Sequence, residues 1–213
     1  MTPVDACRET NRLCRLAPVI PVLVIDDIAI AVPLAEALIS GGLPVLEVTL
    51  RSSVALEAIR QMTKVADATV GAGTLLNAKD VHDAKAAGAA FGVSPGATDG
   101  LLDSCEACDL PIIPGAVTSS EVMRLLHRGY SVQKFFPAGT TGGIAALAAL
   151  ASPFPQVRFC PTGGISAANA VEFLALPNTV CVGGSWVAPK VLVANRDWRA
   201  IEELAQQAAE LGS

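Results

Sequence analysis

Charge is scarce in this chain. Only 16% of its 213 residues are Asp, Glu, Lys or Arg, and the net charge is −5. No run of Lys or Arg occurs, so a nucleic-acid or anionic-membrane partner is not expected. A small anionic ligand is still compatible, because a site can be locally positive on an acidic protein. Long uncharged apolar runs are missing too, and no segment has the length of a membrane-spanning helix. The first residues carry Asp5, Arg8, Glu9, Arg12 and Arg15. They lack the apolar stretch of a signal peptide, and a cytoplasmic location is expected. Six Cys in a chain this long do not describe a disulfide-stapled mini-domain. Cys105 and Cys108 form one CxxC, but no second pair completes a zinc site, and no metal is expected there. Linkers and low-complexity tracts are absent, which predicts a single domain over residues 1–213.

What the chain has is apolar residues, 52% of the total, together with 18 Gly. That composition suits a compact α/β enzyme. Apolar, β-branched runs predict strands over 19–25, 45–50, 68–74, 90–94, 111–116, 132–136, 157–161 and 179–183. Helical patterns fall between them. A first amphipathic helix precedes residue 17, with Leu13 and Leu16 on its apolar side and Pro18 as its stop. Asp26 is the expected cap of the next, which runs from about Ala31 to Gly41. The remaining helices are predicted over 53–62, 78–87, 99–107, 119–128, 144–150, 167–176 and 198–211. Strand-to-strand spacing of roughly 20–25 residues is near the minimum for a (β/α)8 TIM barrel. Continuous apolar strands favour a parallel sheet covered by helices. A doubly wound open sheet competes, but polar residues recur at the strands' C-terminal ends, where a barrel gathers them around one mouth. The expected fold is therefore a (β/α)8 barrel with an extra N-terminal helix.

The polar residues at those strand ends carry the chemistry. Lys134 lies inside the apolar run Val132-Gln133-Lys134-Phe135-Phe136. Alternation puts Lys134 and Phe136 on one face and Gln133 and Phe135 on the other. Burial favours the free amine over the ammonium, and such an amine can attack a ketone to form a Schiff base. A Lys whose head simply reaches water from a strand end is the other reading. Glu47, Thr49 and Arg51 share a face of the second strand. Glu47 is either a general base or half of a structural pair with Arg51. The third strand ends Gly71-Ala72-Gly73-Thr74. Its glycines allow the backbone close to a ligand, and the Thr74 hydroxyl can join Arg51 in clamping a carboxylate. The last two strands end in Thr162-Gly163-Gly164 and Gly183-Gly184-Ser185. Gly-Gly turns with hydroxyls at those two strands are where barrels bind phosphate. Amine, carboxylate, anion clamp and phosphate cradle suit Schiff-base chemistry on a phosphorylated keto acid.

Six segments also resemble a known family. Glu47-Val48-Thr49-Leu50-Arg51, Gly71-Ala72-Gly73-Thr74, Ser94-Pro95-Gly96, Lys134-Phe135-Phe136-Pro137-Ala138, the stretch from Arg158 to Ile165, and Gly183-Gly184-Ser185-Trp186 resemble the 2-keto-3-deoxy-6-phosphogluconate aldolase / 4-hydroxy-2-oxoglutarate aldolase family. The likeness runs in order from about Pro18 to Trp186. It implies a class I aldolase on a (β/α)8 barrel, without a cofactor, usually a homotrimer. It implies Lys134 as the Schiff-base lysine and Glu47 as the acid/base. Arg51 and Thr74 match binders of the pyruvyl carboxylate, and Pro95 and Phe136 match apolar walls. Thr162, Gly163, Gly164, Gly184 and Ser185 match the distal, phosphate side. One departure follows the Phe-Phe-Pro-Ala run: relatives often carry Glu there, where this chain has Gly139. The expected reaction is cleavage of 2-keto-3-deoxy-6-phosphogluconate to pyruvate and glyceraldehyde 3-phosphate, with 4-hydroxy-2-oxoglutarate as a further substrate. Three other readings remain: a phosphate-binding barrel isomerase or synthase, a metal-dependent aldolase, and a non-catalytic sugar-phosphate binder.

Overall fold

Eight short strands carry the fold, and all of them pair in parallel. The computed structural model describes residues 1–212. The strands are β1 (Val19–Leu23), β2 (Val45–Thr49), β3 (Thr69–Gly73), β4 (Phe91–Val93), β5 (Ile112–Ile113), β6 (Val132–Phe135), β7 (Arg158–Pro161) and β8 (Val182–Gly184). Six of them form one sheet in the order β5-β4-β3-β2-β1-β8, and β6 and β7 form another. The two sheets meet on both sides. Gly115 bridges Lys134 at one seam; Phe159–Thr179 and Thr162–Gly183 bridges make the other. The parallel sheet therefore curls until each strand has a neighbour on either side.

Helices alternate with the strands: α1 (Pro3–Cys14), α2 (Ala31–Ser40), α3 (Ala55–Met62), α4 (Ala78–Ala86), α5 (Asp99–Ala107), α6 (Ser119–Arg128), α7 (Gly143–Ala151), α8 (Ala170–Leu174), α9 (Lys190–Ala194) and α10 (Trp198–Ala209). Local chemistry sets several of their starts. Thr118 caps α6 by accepting from the Glu121 amide, and Glu121 accepts from the Thr118 amide in return. Gly129, at φ 107°, ends the same helix.

Two cores result. The larger lies between the strands and the helices. The smaller fills the inside of the curl with Ile20, Val45, Phe91, Ile113, Val132 and Cys160, drawn from six strands. Leu13 and Cys14 of α1 belong to this inner cluster. The first helix thus closes the interior at the end opposite the strand C-termini.

Several sequence expectations need correction. α1 ends at Cys14, and Leu16 lies beyond it, 46% exposed rather than on the apolar face. The cap before α2 is Asp27, whose carboxylate accepts from the Ala29 amide, and it opens a 3-10 turn over Ile28–Ile30. The helix predicted over 167–176 is reduced to the five residues of α8, because Asn169 Oδ1 takes the Ser166 amide and the chain turns there first. The strand predicted over 179–183 pairs with β1 only from Val182 onward, its earlier part making the single Thr179 bridge. Helix α9 has no counterpart among the predicted elements: it is five residues long, and Val191 and Val193 give it poor helix propensity.

Candidate active site

Lys134 reaches the inside of the curl because β6 is bonded on both edges. Its amide donates to Pro114 O at 2.8 Å, its carbonyl accepts from the Ala116 amide at 2.9 Å, and Cys160 of β7 is its partner on the other side. Phe135, on the opposite face, packs edge-on against Phe159 in the outer core. The alternation read from sequence therefore holds: Lys134 Nζ lies 5.3 Å from the centre of the Phe136 ring. The Phe136–Pro137 peptide is cis.

Glu47 enters the same interior from β2. Its Oε1 is 3.3 Å from Lys134 Nζ, and the two residues are only 3% and 6% exposed. A buried ion pair is costly to desolvate and is often no more stable than apolar packing. Retaining it between otherwise apolar strands points to chemistry rather than support. The partner of Glu47 is Lys134, and Arg51 makes no ion pair among the described residues. Thr49, two residues on, is buried and donates to Leu23 O at 2.8 Å. It is a structural tie between β2 and β1.

Gly73 explains how the carboxylate fits. A Cβ at that position would land on the Glu47 carboxylate itself. Its closeness serves a side chain of the site, where the sequence suggested a ligand. Gly73→Ala should therefore push the carboxylate away from Lys134. Turnover is expected to fall about 100-fold, the cost of an ångström-scale misplacement. Imine trapping at Lys134 should persist. Steady-state rates and borohydride trapping measured on the same preparation check both halves.

A cavity of about 790 Å³ opens above the pair. Arg51, Lys134, Phe136, Thr162, Gly163, Gly164, Gly184 and Ser185 all line it. Glu47 lies behind Lys134 rather than in the wall. Thr74 and Pro95, both half-buried at the ends of β3 and β4, are not part of the lining. Gly163 and Gly164 adopt φ of 90° and 77°, a left-handed pair that side chains rarely tolerate. Thr162, just before them, is buried. The loop after β6 is tied to this turn, since the Gly139 amide donates to Gly163 O at 2.8 Å. A Cβ at Gly139 would crowd Gly164, so the glycine that departs from the family pattern sits against the Gly-Gly turn.

The cavity also has walls that the sequence reading passed over. Asp26 and Asp27 enter from the loop after β1, and Lys190 and Arg196 from the segment after β8. Arg196 Nη2 lies 3.6 Å from Asp27 Oδ2. The rule that strand C-termini face one mouth, applied to β1 as it was to β2, would have found the two aspartates. Lys190 and Arg196 carry no motif.

The cysteines divide by depth. Cys181, hydrogen-bonded within a cluster with Cys14 and Cys160 and cut off from water, is held well above the ordinary thiol range. Such a thiol is a poor nucleophile. Burial pushes Cys105 up to about 12, while Cys108 turns outward to His82 Nδ1 at 3.2 Å.

Comparison with known proteins gives a consistent set of relatives. A family profile described as "Aldolase: KDPG and KHG aldolase" matches residues 10–204. The chain is 53% identical over 192 residues to the 2-dehydro-3-deoxy-phosphogluconate aldolase of Pseudoalteromonas atlantica, covering 90% of this chain and 89% of that one. Among solved structures, the 2-keto-3-deoxy-6-phosphogluconate aldolase of Zymomonas mobilis with 3-phosphoglycerate superposes with a TM-score of 0.93 at 50% identity, over 96% and 97% of the two chains. The KDPG aldolase of Legionella pneumophila, with pyruvate captured as a covalent carbinolamine, superposes with a TM-score of 0.91 at 46% identity, over 94% and 98%.

Proposed function

The chain belongs to the KDPG and KHG aldolase family, and we propose that its reaction runs on Lys134 as nucleophilic amine and Glu47 as proton carrier. It is an aldehyde-lyase that cleaves 2-keto-3-deoxy-6-phosphogluconate. The observation that carries the residue assignment is the 3.3 Å contact between a buried amine that lines the cavity and a buried carboxylate behind it. A covalent pyruvate adduct in the Legionella protein supports the same route.

Lys134 Nζ adds to C2 of the keto acid to give a carbinolamine, and loss of water leaves an iminium. Glu47, through a bridging water, takes the proton of the C4 hydroxyl. The C3–C4 bonding pair flows into the iminium and leaves an enamine, and glyceraldehyde 3-phosphate departs. Glu47 returns a proton to C3, and water releases pyruvate and the free amine. The iminium is the electron sink. Arg51 and Thr74 hold the carboxylate in this reading, Phe136 and Pro95 bound the apolar part, and Thr162, Gly163, Gly164, Gly184 and Ser185 take the phosphate end. Cleavage of 4-hydroxy-2-oxoglutarate belongs to the same proposal, since its keto-acid half is identical.

A coupled assay tests the activity. The protein should release pyruvate and glyceraldehyde 3-phosphate in equal amounts and keep its rate in a chelator. An isomerase, a synthase or a mere binder would release no pyruvate, and a metal-dependent aldolase would stop. The phosphate side has its own test. Ser185→Asp sets like charge against the phosphate, and the Michaelis constant for the phosphorylated substrate should rise about tenfold or more. The constant for an unphosphorylated keto acid with an uncharged distal end, such as 2-keto-3-deoxygluconate, should hardly move; equal losses for both would remove Ser185 from the phosphate site.

The same reading takes residues 1–213 as a single (β/α)8 barrel with α1 as an added N-terminal helix, cytoplasmic, and assembled as a homotrimer. No described helix is long and apolar enough to cross a membrane. Light scattering should give three times the chain mass; a stable monomer at micromolar concentration would count against the trimer.

A further inference from the structure

Four cations line the cavity: Arg51, Lys134, Lys190 and Arg196. Two are compensated. Lys134 faces Glu47 at 3.3 Å, and Arg196 faces Asp27 at 3.6 Å. Arg51 and Lys190 make no ion pair among the described residues. Two uncompensated cations thus serve a substrate with two anionic ends. Arg51 follows β2, the strand that carries Glu47, and so belongs to the keto-acid end. Lys190 belongs to the other wall. It begins α9, five residues after Ser185, and the turn between them is fixed by the Ala188 amide donating to Ser185 O at 3.2 Å. Ser185, Ala188, Pro189 and Lys190 line the cavity as one segment.

We propose that Lys190 is a specificity-determining residue, whose ammonium meets the terminal phosphate and selects a phosphorylated keto acid over one without phosphate. The inference rests on the aldolase reading above. The glycine turns and the Ser185 hydroxyl offer only neutral donors, which leave the charge of a phosphate dianion uncompensated. A Lys supplies that charge as a point at the end of a flexible stem. Arg196 is less free to do so, being engaged by Asp27. Asp26, the remaining carboxylate of the lining, follows β1 and offers a phosphate no donor.

Lys190 is exposed, so substitutions there leave the core untouched. Lys190→Ala should raise the Michaelis constant for 2-keto-3-deoxy-6-phosphogluconate about fivefold and Lys190→Glu about twentyfold, the scale of a partly exposed charge contact. Maximal rate should stay at the parent value, Lys190→Arg should restore most of the loss, and the differences should shrink at high salt. The inhibition constant of inorganic phosphate should rise in parallel, while kinetics with 2-keto-3-deoxygluconate, the same acid without its phosphate, remain unchanged. Equal effects on both substrates, an unmoved phosphate constant, or an effect of Glu with none of Ala would each overturn the assignment. The parent protein, assayed alongside, separates the two levels. If it releases no pyruvate, the aldolase reading fails. If it does and the variants match it, only the role of Lys190 fails.

Discussion

Treated with pyruvate and sodium borohydride, the protein should lose activity and gain one reduced three-carbon acid on the peptide that holds Lys134. Lys134→Arg should gain none, and its cleavage rate should fall by on the order of 10⁴ or more, as when other covalent nucleophiles are removed. Arginine keeps the positive charge facing Glu47 and approximates the length, so loss of charge cannot be the cause of failure. What it lacks is an amine that can surrender protons and bond to C2. The site explains why Lys134 should be chosen from the chain's lysines. Lys64, Lys79, Lys85 and Lys190 are exposed, and Lys79 is engaged by Asp83. Lys134 alone is buried beside a carboxylate able to move its protons. Lys190 is the informative rival, because it shares the cavity. Label found on Lys190 or on any surface lysine would mean that the nucleophile is misassigned.

Glu47→Gln should slow cleavage by about 10²–10⁴, the usual worth of general acid–base catalysis. The amide keeps the shape and can still bond to Lys134 Nζ, but it cannot alternate between acid and base. Exchange of pyruvate methyl protons with solvent deuterium should fall too, since it uses the same transfer to and from the enamine. Borohydride trapping should survive in part: the amine is intact, but dehydration of the carbinolamine also needs a proton. A thermal melt near that of the parent would show that the loss is chemical. Turnover near the parent value would instead make Glu47 a structural partner of Lys134. Gly73→Ala complements this test, because it moves the carboxylate without removing it.

The strand–helix alternation and the key side chains were legible in the sequence because they rest on local patterns. Period-two alternation was enough to put Lys134 and Phe136 on one face and Phe135 on the other. Gly163 and Gly164 were visible as a turn because only glycine is comfortable at their positive φ. What could not be read depends on partners distant in sequence. Arg51 is the near neighbour that the sequence offers Glu47 as a partner, whereas its contact is with Lys134, eighty-seven residues away. At Gly73 the local pattern suggests only a ligand, because nothing local says that a glutamate from the neighbouring strand fills the space. Asp26 and Asp27 are both good caps, and only the turn geometry chose the second. Lys190 lies beyond the last motif, in a helix too short and too β-branched to leave a pattern.

The seam between the two sheets has a consequence for dynamics. The nucleophile belongs to β6, in the two-stranded sheet, and the carboxylate to β2, in the six-stranded one. On one side the two sheets are stitched by the Lys134 amide to Pro114 O and the Ala116 amide to Lys134 O. Any fluctuation that parts β5 from β6 breaks those two bonds and draws the amine away from its base in the same motion. Native-state hydrogen exchange at the amides of Lys134 and Ala116 would thus measure the free energy of the opening that disassembles the site, a local quantity that can lie well below the global stability. Conditions or substitutions that loosen the seam should lower activity in proportion to the population of the open form, while the far side of the barrel stays protected.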